Sequence, residues 1–275
     1  MQIMQSIISS IFAFLLSLLF ILLFLGTGLA FGLFSDRIIL SKVNESNYYN
    51  EVHQELNERA EIIVTEAGLP ITVLKDVISL ERVYIGGKYF IEDTLTGKDT
   101  VINTEKVREQ LEQNINQYLT EEEVTKTEEL EAGIYEIILR VEQEYKRGIQ
   151  FQFIIYLAEY KLLFFDLMKI AIPIIVILSA FLCFLLVRMQ QYMHKGVRYI
   201  AYATISSTSI VLITAAFLLF SGVYHKIEQV PDYYDRFLTS FLKWDIQVFL
   251  YLGGLGVLIS ILLITLVSYL KNNLN

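Results

Sequence analysis

Three histidines, one cysteine, a run of glutamates and a cluster of hydroxyls are the side chains with which this chain of 275 residues could do chemistry. His53, His194 and His225 carry imidazoles, the group best suited to proton transfer and metal ligation near neutral pH. A metal centre needs several such ligands converging on one point. The span pattern below puts the three at separate places on opposite sides of a membrane, so each reads as a solvated histidine. Cys183 sits among Phe181, Leu182 and Phe184, where a thiolate would be badly solvated and a small apolar filler is the simpler role. The run Glu121-Glu122-Glu123 with Glu128, Glu129 and Glu131 has the charge for divalent-cation binding. Acidic residues in the first turns of a helix also complement its dipole, and we adopt that reading. Asp93 to Asp99 lacks the oxygen-ligand spacing of a calcium loop. The chain has no HExxH, no glycine-rich phosphate loop and no paired aspartates in an apolar segment. We therefore expect no catalytic residue, no cofactor-binding residue, no metal ligand and no enzymatic activity.

Hydroxyls are the remaining option. Thr204, Ser206, Ser207, Thr208, Ser209, Thr214 and Ser221 crowd one apolar segment. They would line a polar path in a channel or carrier, or they would pack helices closely, bonding back to their own backbone. The spacing favours packing: Thr204, Thr208, Ala215 and Gly222 fall near one helical face. Gly28 with Gly32, and Gly256 with Ser260, repeat the small-xxx-small spacing, which serves an internal contact or an oligomer contact equally well. Pro173 is expected to kink its helix.

These residues must be positioned by membrane helices. The chain is 54% hydrophobic and 19% charged, against roughly 45–50% and about 25% for a soluble domain, and its mean hydropathy is +0.49. A single cysteine excludes an intramolecular disulfide. The net charge of −8 excludes the clustered cations of a nucleic-acid binder. About 20 apolar residues cross a bilayer core. Four stretches suffice: residues 7–34, 166–187, 199–223 and 246–270. The first lacks the basic start and short apolar core of a secretory signal, so it reads as an uncleaved span.

Loop charges set the orientation. Residues 188–198 hold Arg188, Lys195 and Arg198 with no acid, and Lys271 follows the fourth span. The loop 224–245 is mixed. The segment from Asp36 to Lys161 has 14 basic and 25 acidic residues. The expectation is a cell-membrane, multi-pass protein with both termini and the loop 188–198 in the cytoplasm, and residues 35–165 and 224–245 outside. Asp166, Lys169, Arg188 and Trp244 would mark the membrane boundary.

The outer segment carries helix signals, so the fold class is all-α: four transmembrane helices and a mainly helical extracellular domain inserted between spans 1 and 2. Asn44, Ser46 and Asn47 are N-cap candidates for a helix ending before Gly68 and Pro70. Ser79, and Asn103 or Thr104, cap further helices. Thr120 with Glu123 has the capping-box spacing at the head of a last helix; from Ile149 the pattern turns aromatic, and a long helix is expected to descend from the domain, rest in the interface and become the second span. Leu56, Ile63, Leu111 and Ile138 lie on the apolar stripes and are the expected core. Residues 83–91 allow helix or a hairpin turning at Gly86-Gly87, with apolar spacing favouring helix.

Gly68-Leu69-Pro70, Val73-Leu74, Ser79-Leu80-Glu81 and Tyr89 through Gly97 resemble the helical extracytoplasmic segments of uncharacterised four-span membrane proteins of low-GC Gram-positive bacteria. The resemblance covers about a third of the chain and implies a bacterial cell-membrane location and no activity. In span order alone the chain is also similar to claudins and connexins, whose outer loops rely on disulfides, and to the small permeases of cell-division-type ABC transporters. Three roles follow. The first is a non-enzymatic scaffold or partner subunit whose partners are the lipid bilayer and another protein or further copies of itself. The second is a channel or transporter component with the third span lining a path. The third is an outer-surface sensor or bacteriocin-protection protein.

Overall fold

The structure is a computed structural model, and it describes residues 2–125, 127–225 and 232–273. Among these the chain is helical with no strand. Nine α-helices follow in order: α1 Gln2–Phe31, α2 Asp36–Glu45, α3 Tyr48–Glu66, α4 Leu80–Thr96, α5 Glu105–Glu121, α6 Glu128–Ile149, α7 Gln152–Arg188, α8 Met193–Ser221 and α9 Asp232–Asn273. Short 3₁₀ turns occupy Ile71–Leu74 and Val223–His225. Among the described residues, four helices are long and apolar enough to cross a membrane: Met4–Phe31, Gln152–Arg188, Met193–Ser221 and Tyr233–Asn272. Their outward-facing residues are apolar, with Phe14, Ile177, Ile213 and Leu262 all more than half exposed, as helices facing lipid require.

The chain divides into two compact units. An apolar unit comprises Met1–Ile39, Leu163–Val230 and Leu238–Asn275. A helical lobe comprises Leu40–Leu162 with the first turns of α9. In the apolar unit, Leu16 of α1, Leu186 of α7 and Ala203 of α8 are buried together, with Phe12, Phe20, Leu182 and Cys183 packed around them. In the lobe, α3 packs on α4 and α6, and α6 also packs on α4 and α5. Val52, Leu56, Ala60 and Ile63 of α3 meet a core that includes Phe90, Leu111, Ile115, Ile138 and Val141, all buried.

Residues 83–91 are helical within α4. Gly87 is where Tyr49 packs: a Cβ there would lie 2.7 Å from Tyr49 Cε1. Close approach of an aromatic ring, not a turn, explains the glycine, and packing offsets its low helix propensity. Ser79 caps α4, its hydroxyl accepting from the Arg82 N–H at 3.3 Å, and Gly97 closes it with φ 75°.

Several expectations are corrected. Thr120 does not open the last helix. It lies inside α5, its hydroxyl donating to the Asn116 carbonyl, and Thr127 caps α6 by accepting from the Leu130 N–H. Glu128, Glu129 and Glu131 therefore sit in a first turn, but Glu121, Glu122 and Glu123 sit at the end of α5, where the dipole opposes negative charge. Asn47 precedes α3 in the left-handed region, φ 61°, without a side-chain cap. An additional helix, α2, spans Asp36–Glu45, where no helix was expected. Helix α9 is already formed at Asp232, within the segment expected to be loop, and only residues 189–192 separate α7 from α8. α6 ends at Ile149 and a separate helix, α7, begins at Gln152 and runs unbroken for 37 residues through Pro173.

Candidate functional site

The lobe carries an open groove of about 430 Å³ whose walls come from α4, the 100–103 connection and α5. Its apolar lining includes Ile85, Tyr89 and Val101, and these are exposed, Val101 at 89%. Helical spacing puts Ile85 and Tyr89 on one face of α4, one turn apart. The floor contains Gly86, where a Cβ would come within 3.2 Å of Tyr145 Oη; a glycine there keeps the floor low. Tyr145 is buried, and its hydroxyl donates to the Arg82 carbonyl at 3.1 Å. Burial pushes that hydroxyl's pKa up to about 12, partly opposed by the charge of Arg82, so it stays a neutral donor. The Arg82 guanidinium donates to the Asp76 and Val77 carbonyls at 2.6 and 2.7 Å. Lys106 adds a second cation and Asp93 one carboxylate. The result is an apolar trough with a cationic rim on an otherwise acidic lobe. No converging set of metal ligands occurs among the described residues that line it.

The groove is braced from beneath. Glu142 of α6 is 2% exposed and accepts from Thr104 Oγ1 and Arg108 Nη2, both at 2.7 Å. Burial raises the pKa of its carboxyl, but the hydrogen bonds from Arg108 and Thr104 and the charge of Arg108 outweigh that and hold it below the ordinary value. This clamp fixes the start of α5 on α6. On the far side of α3, Tyr233 donates to Glu55 at 2.6 Å and Arg236 to Glu51 at 2.8 Å, so the first turns of α9 are stapled to the lobe. Tyr48 stacks on Phe151 with centroids 4.6 Å apart, and Tyr233 meets Tyr48 edge-on at 5.5 Å.

The apolar unit contains a second feature. Gly28 of α1 faces the Phe249 ring and Gly32 faces the Asp245 carboxyl, and at either glycine a Cβ would collide with its neighbour. Gly256 stands in the same relation to Thr208. Rising along α1 from Gly28 to Gly32, the partners descend in number along α9, so these two helices are antiparallel. The small-residue motifs are thus internal contacts. Asp245 also lines a cleft of about 330 Å³ with Ile21, Leu25, Val211, Thr214 and Phe249. The Leu33 backbone N–H donates toward its carboxyl group, while Oδ1 is buried without a hydrogen-bond partner among the described residues.

Leu56, Ile63, Leu111 and Ile138 are all buried in the lobe. Thr204, Thr208, Ala215 and Ser260 are buried in the apolar unit. Thr204 donates to the Ile200 carbonyl, Ser207 to the Thr204 carbonyl and Ser260 to the Gly256 carbonyl. Gly222 ends α8 in the left-handed region, φ 63°, a conformation that suits glycine. Asp166 and Lys169 pair at 2.7 Å on the surface of α7. Arg188 is the last residue of α7 and is exposed, and Trp244 is half-buried within α9. His53 bonds the Ile78 carbonyl at 3.0 Å and His194 stacks on Tyr192 at 5.6 Å; the His225 side chain lies outside the described residues. The groove and Asp245 were missed. Asp245 could have been found: Phe241, Val248 and Phe249 continue its apolar stripe by helical spacing, so the carboxylate belongs to a helix face. The groove had no comparable signal, because the 100–103 connection and α4 meet only in the fold.

No family model, curated protein or solved structure matches this chain. The functional reading therefore rests on its own geometry.

Proposed function

We propose that this chain is a non-enzymatic multi-pass protein of the cell membrane that binds a protein partner through its helical lobe. The observation that carries the reading is the groove: Ile85, Tyr89 and Val101 are large apolar side chains exposed together beside Arg82 and Lys106, on a lobe whose other charge is mostly acidic. Contiguous apolar surface rimmed by polar groups is the usual mark of a protein contact. An extended partner segment offering apolar side chains to the trough and a carboxylate to Lys106 matches its chemistry. The loop charges support an orientation with both termini and residues 188–198 in the cytoplasm and the lobe outside.

Purification in mild detergent tests the partner, and labelling tests the orientation. A stoichiometric partner should co-purify with the native chain and be lost from a Val101→Asp, Lys106→Glu variant whose melting is unchanged. Recovery of the chain alone, or equal recovery of the partner by the variant, overturns the reading. A cysteine placed at Lys98 should react with an impermeant maleimide on intact cells; protection there would put the lobe inside.

The transport alternative gains less support. Thr204 and Ser207 are buried and their hydroxyls bond back to carbonyls of α8, which suits packing better than a solvated path.

A further inference from the structure

The end of the apolar unit where α1 begins, α7 ends and α8 begins contains a polar pocket of about 370 Å³, lined among others by Gln5, Ser6, Gln190, Lys195, Arg198 and Tyr199. Its neutral groups are already tied into the framework. Gln5 donates to the Met189 carbonyl, Gln190 donates to Ser9 Oγ at 2.7 Å, and the Ser6 and Tyr199 hydroxyls share a hydrogen bond at 3.2 Å. The cations are not. The Lys195 ammonium lies 5.3 Å from the Tyr192 ring centroid, and neither it nor Arg198 has a carboxylate partner among the described residues. Residues 1–35, 167–227 and 246–275 contain no Asp or Glu. Two cations share one pocket with no side-chain counter-charge within reach, so an anion from outside completes it.

The setting selects the anion. Met4, Ile7 and Ile11 on α1 and Phe184 on α7 are all more than half exposed, so the pocket opens where a lipid-facing apolar surface gives way to polar groups. An acyl chain can lie on that surface while its headgroup phosphate reaches Lys195 and Arg198, with the Tyr199 and Gln190 groups nearby as neutral contacts. Basic pockets between membrane helices recognise headgroups in this way. We propose that this pocket binds the phosphate of an anionic glycerophospholipid. The inference is separate from the partner-binding reading of the lobe and requires only that the four apolar helices lie in a bilayer.

Native mass spectrometry of the full chain in mild detergent, with phosphatidylglycerol, phosphatidylcholine or inorganic phosphate added, provides the test. Phosphatidylglycerol should be retained in preference to phosphatidylcholine, and retention should weaken about fivefold for each charge removed in Lys195→Gln and Arg198→Gln. Arg188→Gln, which does not line the pocket, should leave it unchanged. Equal retention of the two lipids, or an equal loss in the Arg188→Gln chain, would overturn the proposal. Inorganic phosphate that binds and displaces the lipid at matched concentration would also overturn it, because the site would then be one for free phosphate. If Arg198→Gln fails to fold, Lys195→Gln alone, at an exposed position, makes the same comparison.

Discussion

The Asp245 carboxyl of α9 occupies the space that a side chain on Gly32, just past the end of α1, would fill. A buried carboxyl oxygen in an apolar helical unit is costly unless partnered. The close approach of α1 and α9 at Gly28 and Gly32 places Asp245 against the end of α1, where the backbone turns and the Leu33 N–H is available.

This contact predicts a coupled pair. Gly32→Val should lower the melting temperature of the detergent-solubilised chain, overpacking costing about 1–3 kcal/mol. Asp245→Ala, which removes the colliding carboxyl, should recover part of that loss when combined with it. A coupling of roughly 0.5–3 kcal/mol in a double-mutant cycle is the expected result. Strict additivity would show that the two residues do not touch.

The lobe core predicts a separable failure. Leu111 is 0% exposed, and Leu111→Asp puts an unpaired charge there, a class of change that costs more than about 4 kcal/mol. The lobe should become sensitive to added protease while the apolar helices still insert and resist it. The same holds for Leu56, Ile63 and Ile138, and a protease pattern unchanged from the native chain would refute the core assignment.

Glu142 predicts a direction with pH. Its folded-state pKa lies below the ordinary value of 4.5 because the bonds to Arg108 and Thr104 and the Arg108 charge outweigh burial. A depressed carboxylate pKa stabilises the fold fully above the unfolded value and progressively less as pH falls through the folded value. Lobe stability measured by denaturant should therefore fall as pH drops below about 4.5. Glu142→Gln should start less stable at neutral pH and lose less on acidification. A variant with the same acid slope as the native chain would rule this clamp out.

The caps predict unequal threonines. Thr127→Ala removes the side-chain acceptor at the start of α6 and should cost about 1 kcal/mol. Thr120→Ala removes only a hydroxyl bonded back within α5 and should be close to neutral in the same denaturant titration. Equal losses would restore the sequence-derived capping box.

Much of the helical architecture was legible because it rests on short-range rules. The apolar spans follow from length and hydropathy, the stripe through Leu56 and Ile63 from the 3.6-residue period, and the Ser79 cap from a side chain that reaches its own helix. Errors arose where two local signals competed. Thr120 and Thr127 both precede acidic residues, and only the extent of α5 decides which of them starts a helix. The charges near Asp232 and Asp245 suggested a loop, whereas Tyr233 on Glu55 and Arg236 on Glu51 hold those turns helical against α3. Gly86-Gly87 read ambiguously because glycine lowers helix propensity, while the Tyr49 ring that needs the space comes from 38 residues earlier in the chain.

By itself the sequence determined which segments are apolar enough to cross a bilayer, which faces of the lobe helices are buried, and that the four apolar stretches keep their charges at their ends. Those properties depend on neighbours within a turn or two, and no distant residue alters them. Only the tertiary structure decided that the glycine motifs are internal contacts, that Asp245 sits inside a seam, and that Lys195 and Arg198 share a pocket with no acid. Each of these depends on which distant helix comes to lie alongside, and helix packing depends on the shapes of both surfaces at once.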